Sequence, residues 1–152
     1  MLIECVETQG EYDAIVLPRD IHYPLGENNY CCSSEWFTID STTSGFSLTR
    51  KKQYLVYGLL NINGRIRYLL KSDEKIPGFF PAELFHAVDL EYGPGWICRR
   101  YPLASSILIL TTFPELNTYQ DIIGIMDINP SFVRKFVEFA EHLAKWLDYD
   151  EE

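Results

Sequence analysis

Short apolar runs at residues 2–6, 14–17 and 36–39 alternate with polar segments that carry glycine and proline. Runs of this length bounded by turn formers predict short strands joined by loops. Residues 40–49 (DSTTSGFSLT) have the small polar side chains of a connection, and they lead into the basic cluster Arg50-Lys51-Lys52. The stretch that follows, QYLVYGLLNINGRIRYLLK, sets two β-rich runs on either side of Asn63-Gly64. Both residues tolerate the positive φ angles of a type I′ turn, so the spacing predicts an antiparallel hairpin over residues 53–71. In its second strand Arg65, Arg67 and Lys71 alternate with Ile66, Tyr68 and Leu70, which predicts that the apolar set faces the core. Further β-rich runs occupy residues 95–101 and 107–113, with Gly93-Pro94-Gly95 as a turn before the first.

Beyond residue 113 the period changes from two to that of a helix. Asn117 followed by Gln120 has the spacing of a capping box, and Tyr119, Ile122, Ile123 and Met126 then recur at i, i+3, i+4 and i+7. Asn129 is placed to cap a second helix, and Pro130 suits its first turn. Phe132, Val133, Phe136, Val137, Ala140, Leu143, Ala144 and Leu147 form one broad apolar stripe, with Glu138/His142 and Glu141/Lys145 paired at i, i+4 on the other side. The second helix is expected over residues 130–147, ahead of an acidic tail. Strands first and helices last predict an α+β fold, an antiparallel sheet with a C-terminal helical pair packed on it.

The length of 152 residues fits one domain. Its expected parts are an acidic β/loop region at 1–49, a β core at 50–113, the helices at 114–147 and the tail at 148–152. Charge is distributed unevenly among them. Residues 1–49 carry a balance of minus seven, residues 50–110 plus four and residues 111–152 minus six, for a net charge of −9. An acidic surface is a poor match to phosphate, so nucleic acid is disfavoured as a partner, and steering of a cationic protein is the functional reading of the two flanks. The residues that would carry it are Glu4, Glu7, Glu11 and Asp13 in the first flank and Asp148, Asp150, Glu151 and Glu152 in the tail.

Catalytic and cofactor chemistry finds no foothold in the spacing. His22, His86 and His142 are isolated, and no metal-binding pattern includes them. Cys5 and Cys98 fall in expected strands, where a free cysteine is a small core side chain, and the adjacent Cys31-Cys32 falls in an expected loop. Four free thiols suit a reducing cytoplasm. The start MLIECVETQ lacks the basic, then apolar pattern of an export signal, and the most apolar later run, residues 107–110, is far below the roughly 20 residues that span a bilayer. There is no glycine-rich phosphate loop. Arg50, Lys51, Lys52, Arg65, Arg67, Arg99 and Arg100 would make an anion patch only if their strands are adjacent, and solvated strand faces are the simpler account. Glu83, in PAELF, fits the capping of a short helical turn. No enzyme activity, cofactor or metal is expected.

Two resemblances add to this reading. Gly78-Phe79-Phe80-Pro81 followed by Leu84-Phe85 resembles the G-x-F-P-x-x-Y-V ending of SH3 domains, and residues 54–60 with the hairpin resemble the strands before it. This implies a partly SH3-like sheet or barrel over roughly residues 52–90, and a function as an adaptor or interaction module. The whole-chain arrangement, a small acidic protein with this hairpin, the P-G-F-F-P-A-E-L-F segment and a C-terminal helical pair, is similar to immunity-type proteins of bacterial toxin systems. That similarity implies a cytoplasmic inhibitor that masks the active surface of a cognate toxin, such as a basic toxin domain.

Overall fold

A computed structural model describes residues 1–10, 15–18, 21–22, 31–32, 36–39, 46–89, 91, 95–102 and 107–147. Its strands are β1 (Leu2–Cys5), β2 (Ile15–Pro18), β3 (Ile21–His22), β4 (Cys31–Cys32), β5 (Trp36–Ile39), β6 (Gln53–Leu55), β7 (Gly58–Ile62), β8 (Arg65–Lys71), β9 (Pro77–Pro81), β10 (Phe85–Asp89), β11 (Ile97–Pro102) and β12 (Ile107–Thr112). Two helices follow, α1 (Tyr119–Met126) and α2 (Pro130–Leu147). The class is α+β, and the described ladders are all antiparallel. Cys31 and Cys32 were expected in a loop; their backbone instead pairs with Ile21 and His22.

One sheet has three strands in the order β10-β1-β6, and another has five in the order β11-β12-β7-β8-β9. The hairpin turns where the sequence places it, with φ of 53° at Asn63 and 85° at Gly64, the double positive φ of the expected turn. It covers residues 58–71 and not 53–71. Val56 donates its N–H to Met1 O (3.0 Å) in the smaller sheet, while Tyr57 donates to Leu69 O (2.8 Å) in the larger one. The chain thus changes sheets between two consecutive residues, and β6 belongs to the other ladder. Two two-stranded ladders, β2-β5 and β3-β4, complete the described pairing; no described ladder joins the three- and five-stranded sheets, so among the described residues no sheet has the hydrogen-bonded closure of a barrel.

Successive side chains along a strand point to opposite faces, and here the helices cover one face of the larger sheet while the smaller sheet covers part of the other. Leu60, Leu69 and Phe79 enter a core with Tyr57, Leu108, Leu110 and the helices, while their neighbours Leu59, Leu70 and Phe80 pack against a second core with Ile3, Cys5, Tyr54, Leu84 and Phe85. The layers are helices, five-stranded sheet, three-stranded sheet. Tyr68 and Leu70 of β8 face the second core as expected, but the opposite face is covered as well, and Ile66 is not buried. Arg67 is 8% exposed on the helix side, opposite Leu60 and Pro81, whereas Ile66 is 39% exposed. The Arg67 Nη1 donates to Phe79 O (3.3 Å), and its pKa is lowered by burial against the opposing pull of Glu83.

The helices meet the expected limits. The capping box of α1 lies one residue later than expected. Asp121 donates its N–H to Thr118 Oγ1 (3.1 Å), and the Asp121 carboxylate accepts the Thr118 N–H (3.2 Å). Asn117 is withdrawn from that role by burial. Its carbonyl accepts the Tyr101 hydroxyl (2.7 Å), and its amide bridges Pro114 O (3.0 Å) and Arg99 Nε (3.1 Å) in the orientation that satisfies both. Asn129 Oδ1 accepts the Ser131 N–H (3.0 Å) at the start of α2. The α2 stripe buries Phe136, Ala140 and Leu143 against the larger sheet and α1, and Lys135 reaches the buried Asp121 at 2.7 Å.

Candidate functional site

The alternation of β1 sends Ile3 and Cys5 into the core and leaves Glu4 on the outer face, opposite His86 of β10 and Gln53 of β6. Its Oε2 lies 3.1 Å from His86 Nε2, an exposed cross-strand contact. Just past the strand, the Glu7 carboxylate turns back onto its own backbone. It accepts the N–H groups of Thr8 (2.9 Å) and Gln9 (3.4 Å), which hold its pKa below the usual carboxylate value, and it lies 3.9 Å from Arg50 Nη2. Arg50 in turn donates its Nε to Val6 O (3.2 Å). Glu11, Asp13, Asp148, Asp150, Glu151 and Glu152 lie outside the described residues.

The β1–β10 ladder adds two carboxylates that no local pattern singles out. Asp89 stands opposite Leu2, and Glu91 follows it, donating its N–H to Asp89 Oδ1 (2.9 Å). Burial pushes the pKa of the Met1 amino group down, and the charges of Asp89 and Glu91 pull it partly back up. Glu4 and Asp89 thus lie along one ladder, their positions two strand steps, about 7 Å, apart, and Glu91 just beyond the end of β10 completes an acidic rim. Asp89 and Glu91 sit in the stretch whose net charge is positive, so only strand pairing brings them to Glu4.

A polar cluster closes the other end of the smaller sheet. The Asp73 carboxylate accepts the Thr49 hydroxyl (2.7 Å), the Tyr54 hydroxyl (2.7 Å) and the Lys52 ammonium (3.0 Å). The Tyr54 hydroxyl also accepts the Thr49 N–H (2.8 Å), and Lys52 Nζ lies 5.3 Å from the Tyr54 ring centroid. The Asp73 N–H donates to Ser47 O (2.8 Å). With donors and acceptors matched in this way, the cluster staples the segment before β6 to the β8–β9 turn.

The basic residues do not assemble into one anion site. Arg50, Lys51 and Lys52 sit in the turn before β6, Arg65 and Arg67 on β8, and Arg99 and Arg100 on β11. Arg67 and Arg99 share a row through Leu60 and Leu110, but three strand spacings, about 14 Å, separate them. Among the described residues no group of three or more His, Cys, Asp or Glu side chains is placed to hold a metal ion. Of the cysteines, Cys5 and Cys98 are free thiols. Cys5 is buried, which raises its pKa, and its thiol donates to Glu7 O (3.3 Å). Among the described residues no helix is long and apolar enough to cross a membrane. Comparison of the chain with known protein families, curated proteins and solved structures finds no match.

Proposed function

We propose that this chain is a cytoplasmic protein-binding domain that recognises a cationic partner through the acidic rim of the β1–β10 ladder, in the manner of an immunity protein that masks a toxin's active surface. The observation that carries this reading is the placement of Glu4 and Asp89 on one ladder, with Glu91 just past its end and tied to Asp89, so that backbone pairing brings acids distant in sequence to one side of the sheet before binding. The net charge of −9 supplies the long-range field for steering, and the free Cys5 and Cys98 thiols suit a reducing compartment. Glu4 and Glu7 have side-chain partners in His86 and Arg50, whereas Asp89 and Glu91 face only the Met1 amino group among the described cations, so these two carry the larger share of the role.

The test is affinity capture from the native host, followed by expression of the captured partner with and without this chain. A partner that is toxic alone and harmless in the complex supports the reading. The combined variant Glu4→Gln, Asp89→Asn, Glu91→Gln should then associate more slowly and with a shallower salt dependence, because exposed charges are screened over about 8 Å at physiological ionic strength. Association at the wild-type rate, with the same response to salt, would remove the rim from the model of binding.

An adaptor role has one observation in its favour. The Gly78-Phe79-Phe80-Pro81 segment ends β9 and passes through the 3-10 turn Ala82–Leu84 into β10, the strand–turn–strand order of the SH3-like ending it resembles, although no described sheet closes. Binding of proline-rich peptides at this module, with no toxic partner in the capture experiment, would favour the adaptor.

A further inference from the structure

The strand β11 is one edge of the five-stranded sheet. On its inner side it pairs with β12 from Ile97↔Thr112 to Pro102↔Ile107, and no described strand pairs with its outer side. Four residues in succession, Ile97, Cys98, Arg99 and Arg100, are exposed. Such an edge turns alternate N–H and C=O groups toward whatever strand comes next.

Alternation places the two arginines on opposite faces. Arg99 lies on the helix side in a row with Leu110 and Leu60, its Nε directed at the Asn117 amide. Arg100 lies on the other face in the row Arg100–Ile109–Asn61–Ile66, and no described side chain pairs with it. The same face carries Ile107 and Ile66, 40% and 39% exposed. Among the described residues, an edge that no strand covers, a guanidinium without a carboxylate and an apolar surface beside it therefore occur together, in a chain whose net charge is −9.

We infer that β11 accepts an added strand from a partner protein, an extended segment with an acidic side chain opposite Arg100 and β-branched residues at alternate positions. Main-chain hydrogen bonds supply the affinity of such an addition, and the side chains facing Arg100 and Ile97 supply its selectivity. A second copy of this chain is a poor occupant. Antiparallel pairing of β11 with itself about Arg99 and Arg100 sets arginine against arginine, and like charges directly opposite are destabilising. The residues that admit an acidic strand thus also repel the chain's own edge. This edge belongs to the other sheet from the acidic rim, and the inference does not depend on that rim.

The test pans a random-peptide library against the full chain and titrates the enriched peptide into isotope-labelled protein. The expected outcome is an acidic, β-branched consensus, amide shifts confined to Ile97–Pro102 and its β12 neighbours, and binding weakened roughly tenfold or more by Arg100→Glu. Reversing the peptide's acidic residue to arginine should restore binding to Arg100→Glu, which a merely structural role of Arg100 would not do. Should Arg100→Glu disturb the fold, Arg100→Gln with an unchanged melting temperature serves in its place. The inference is overturned if no peptide is enriched, if the consensus is not acidic, if the shifts map elsewhere, or if the variant binds as wild type does.

Discussion

The Tyr54 hydroxyl donates to Asp73 Oδ1 at 2.7 Å while accepting the Thr49 N–H at 2.8 Å, so one phenol ties the start of β6 to both the loop before it and the β8–β9 turn. The ring is 5% exposed and belongs to the smaller core. Replacing Tyr54 by Phe keeps the packing and removes both hydrogen bonds. The expected loss is about 1–3 kcal/mol in a reversible denaturant melt, because the groups left behind are half-sheltered from water. No change would mean that water replaces the phenol without cost.

The same cluster gives stability a pH dependence at both extremes. Burial pushes the Asp73 pKa up, but hydrogen bonds from Thr49, Tyr54 and Lys52 outweigh it and hold the group below its ordinary 3.8. A depressed carboxylate contributes stability above its unfolded value that is lost as pH falls through the folded one, so the loss lies below about pH 4. Burial, joined by Asp73, raises Tyr54 from 10.0 to about 12. That contribution is present below pH 10 and is lost as pH rises toward 12. Melting temperature followed against pH should show a smaller alkaline loss in Tyr54→Phe than in wild type, the remainder coming from the raised Cys5 and Tyr101.

Phe136 is fully buried, with its ring centroid 4.9 Å from that of Tyr57 in an edge-to-face arrangement. Phe136→Ala should cost about 3–5 kcal/mol, from lost transfer energy and the cavity left between α2 and the larger sheet. A loss below about 1 kcal/mol would mean that α2 presents a different face.

Gly124 of α1 lies directly against the Phe132 side chain of α2. A Cβ there would lie 2.3 Å from Phe132 Cδ2 and Cγ. Alanine gains about 1 kcal/mol of helix propensity over glycine, but the clash at the base of a ring forces the helices apart, and overpacking of this kind costs about 1–3 kcal/mol. Gly124→Ala is expected to destabilise, and Phe132→Ala should recover part of the loss when the two are combined.

Ile128, between the helices, has φ of 51° and is 56% exposed. A β-branched side chain in the left-handed region costs roughly 1–2 kcal/mol, and little burial compensates for it. Ile128→Gly should therefore raise stability by about 1 kcal/mol after allowing for the greater freedom of glycine in the unfolded chain. A lower melting temperature would show that the exposed side chain packs more than its surface indicates.

Much of the fold is legible in short windows. Asn63-Gly64 specifies its turn because both residues accept positive φ, and the Phe136, Ala140, Leu143 spacing specifies a helix because 3.6 residues per turn stacks them on one side. Pro130 and Asn129 set the start of α2 within a residue. The capping box of α1 falls on Thr118 although Asn117 has the same spacing, because the buried Asn117 side chain is held by Pro114 O and Arg99 Nε and so is not free to cap.

Amino-acid sequence alone determined the periods, the turn and the helix ends, because these rest on φ preferences and hydrogen bonds among residues a few positions apart. The tertiary structure alone decided what lies across each element. Arg67 reads as a solvated base until the helices cover its face of β8, and Asp89 and Glu91 read as minor acids in a basic stretch until β10 pairs with β1. The switch of sheets between Val56 and Tyr57 is of the same kind, since one N–H finds Met1 and the next finds Leu69. Such choices depend on the free energy of contacts between distant segments, and no local window contains both sides of them.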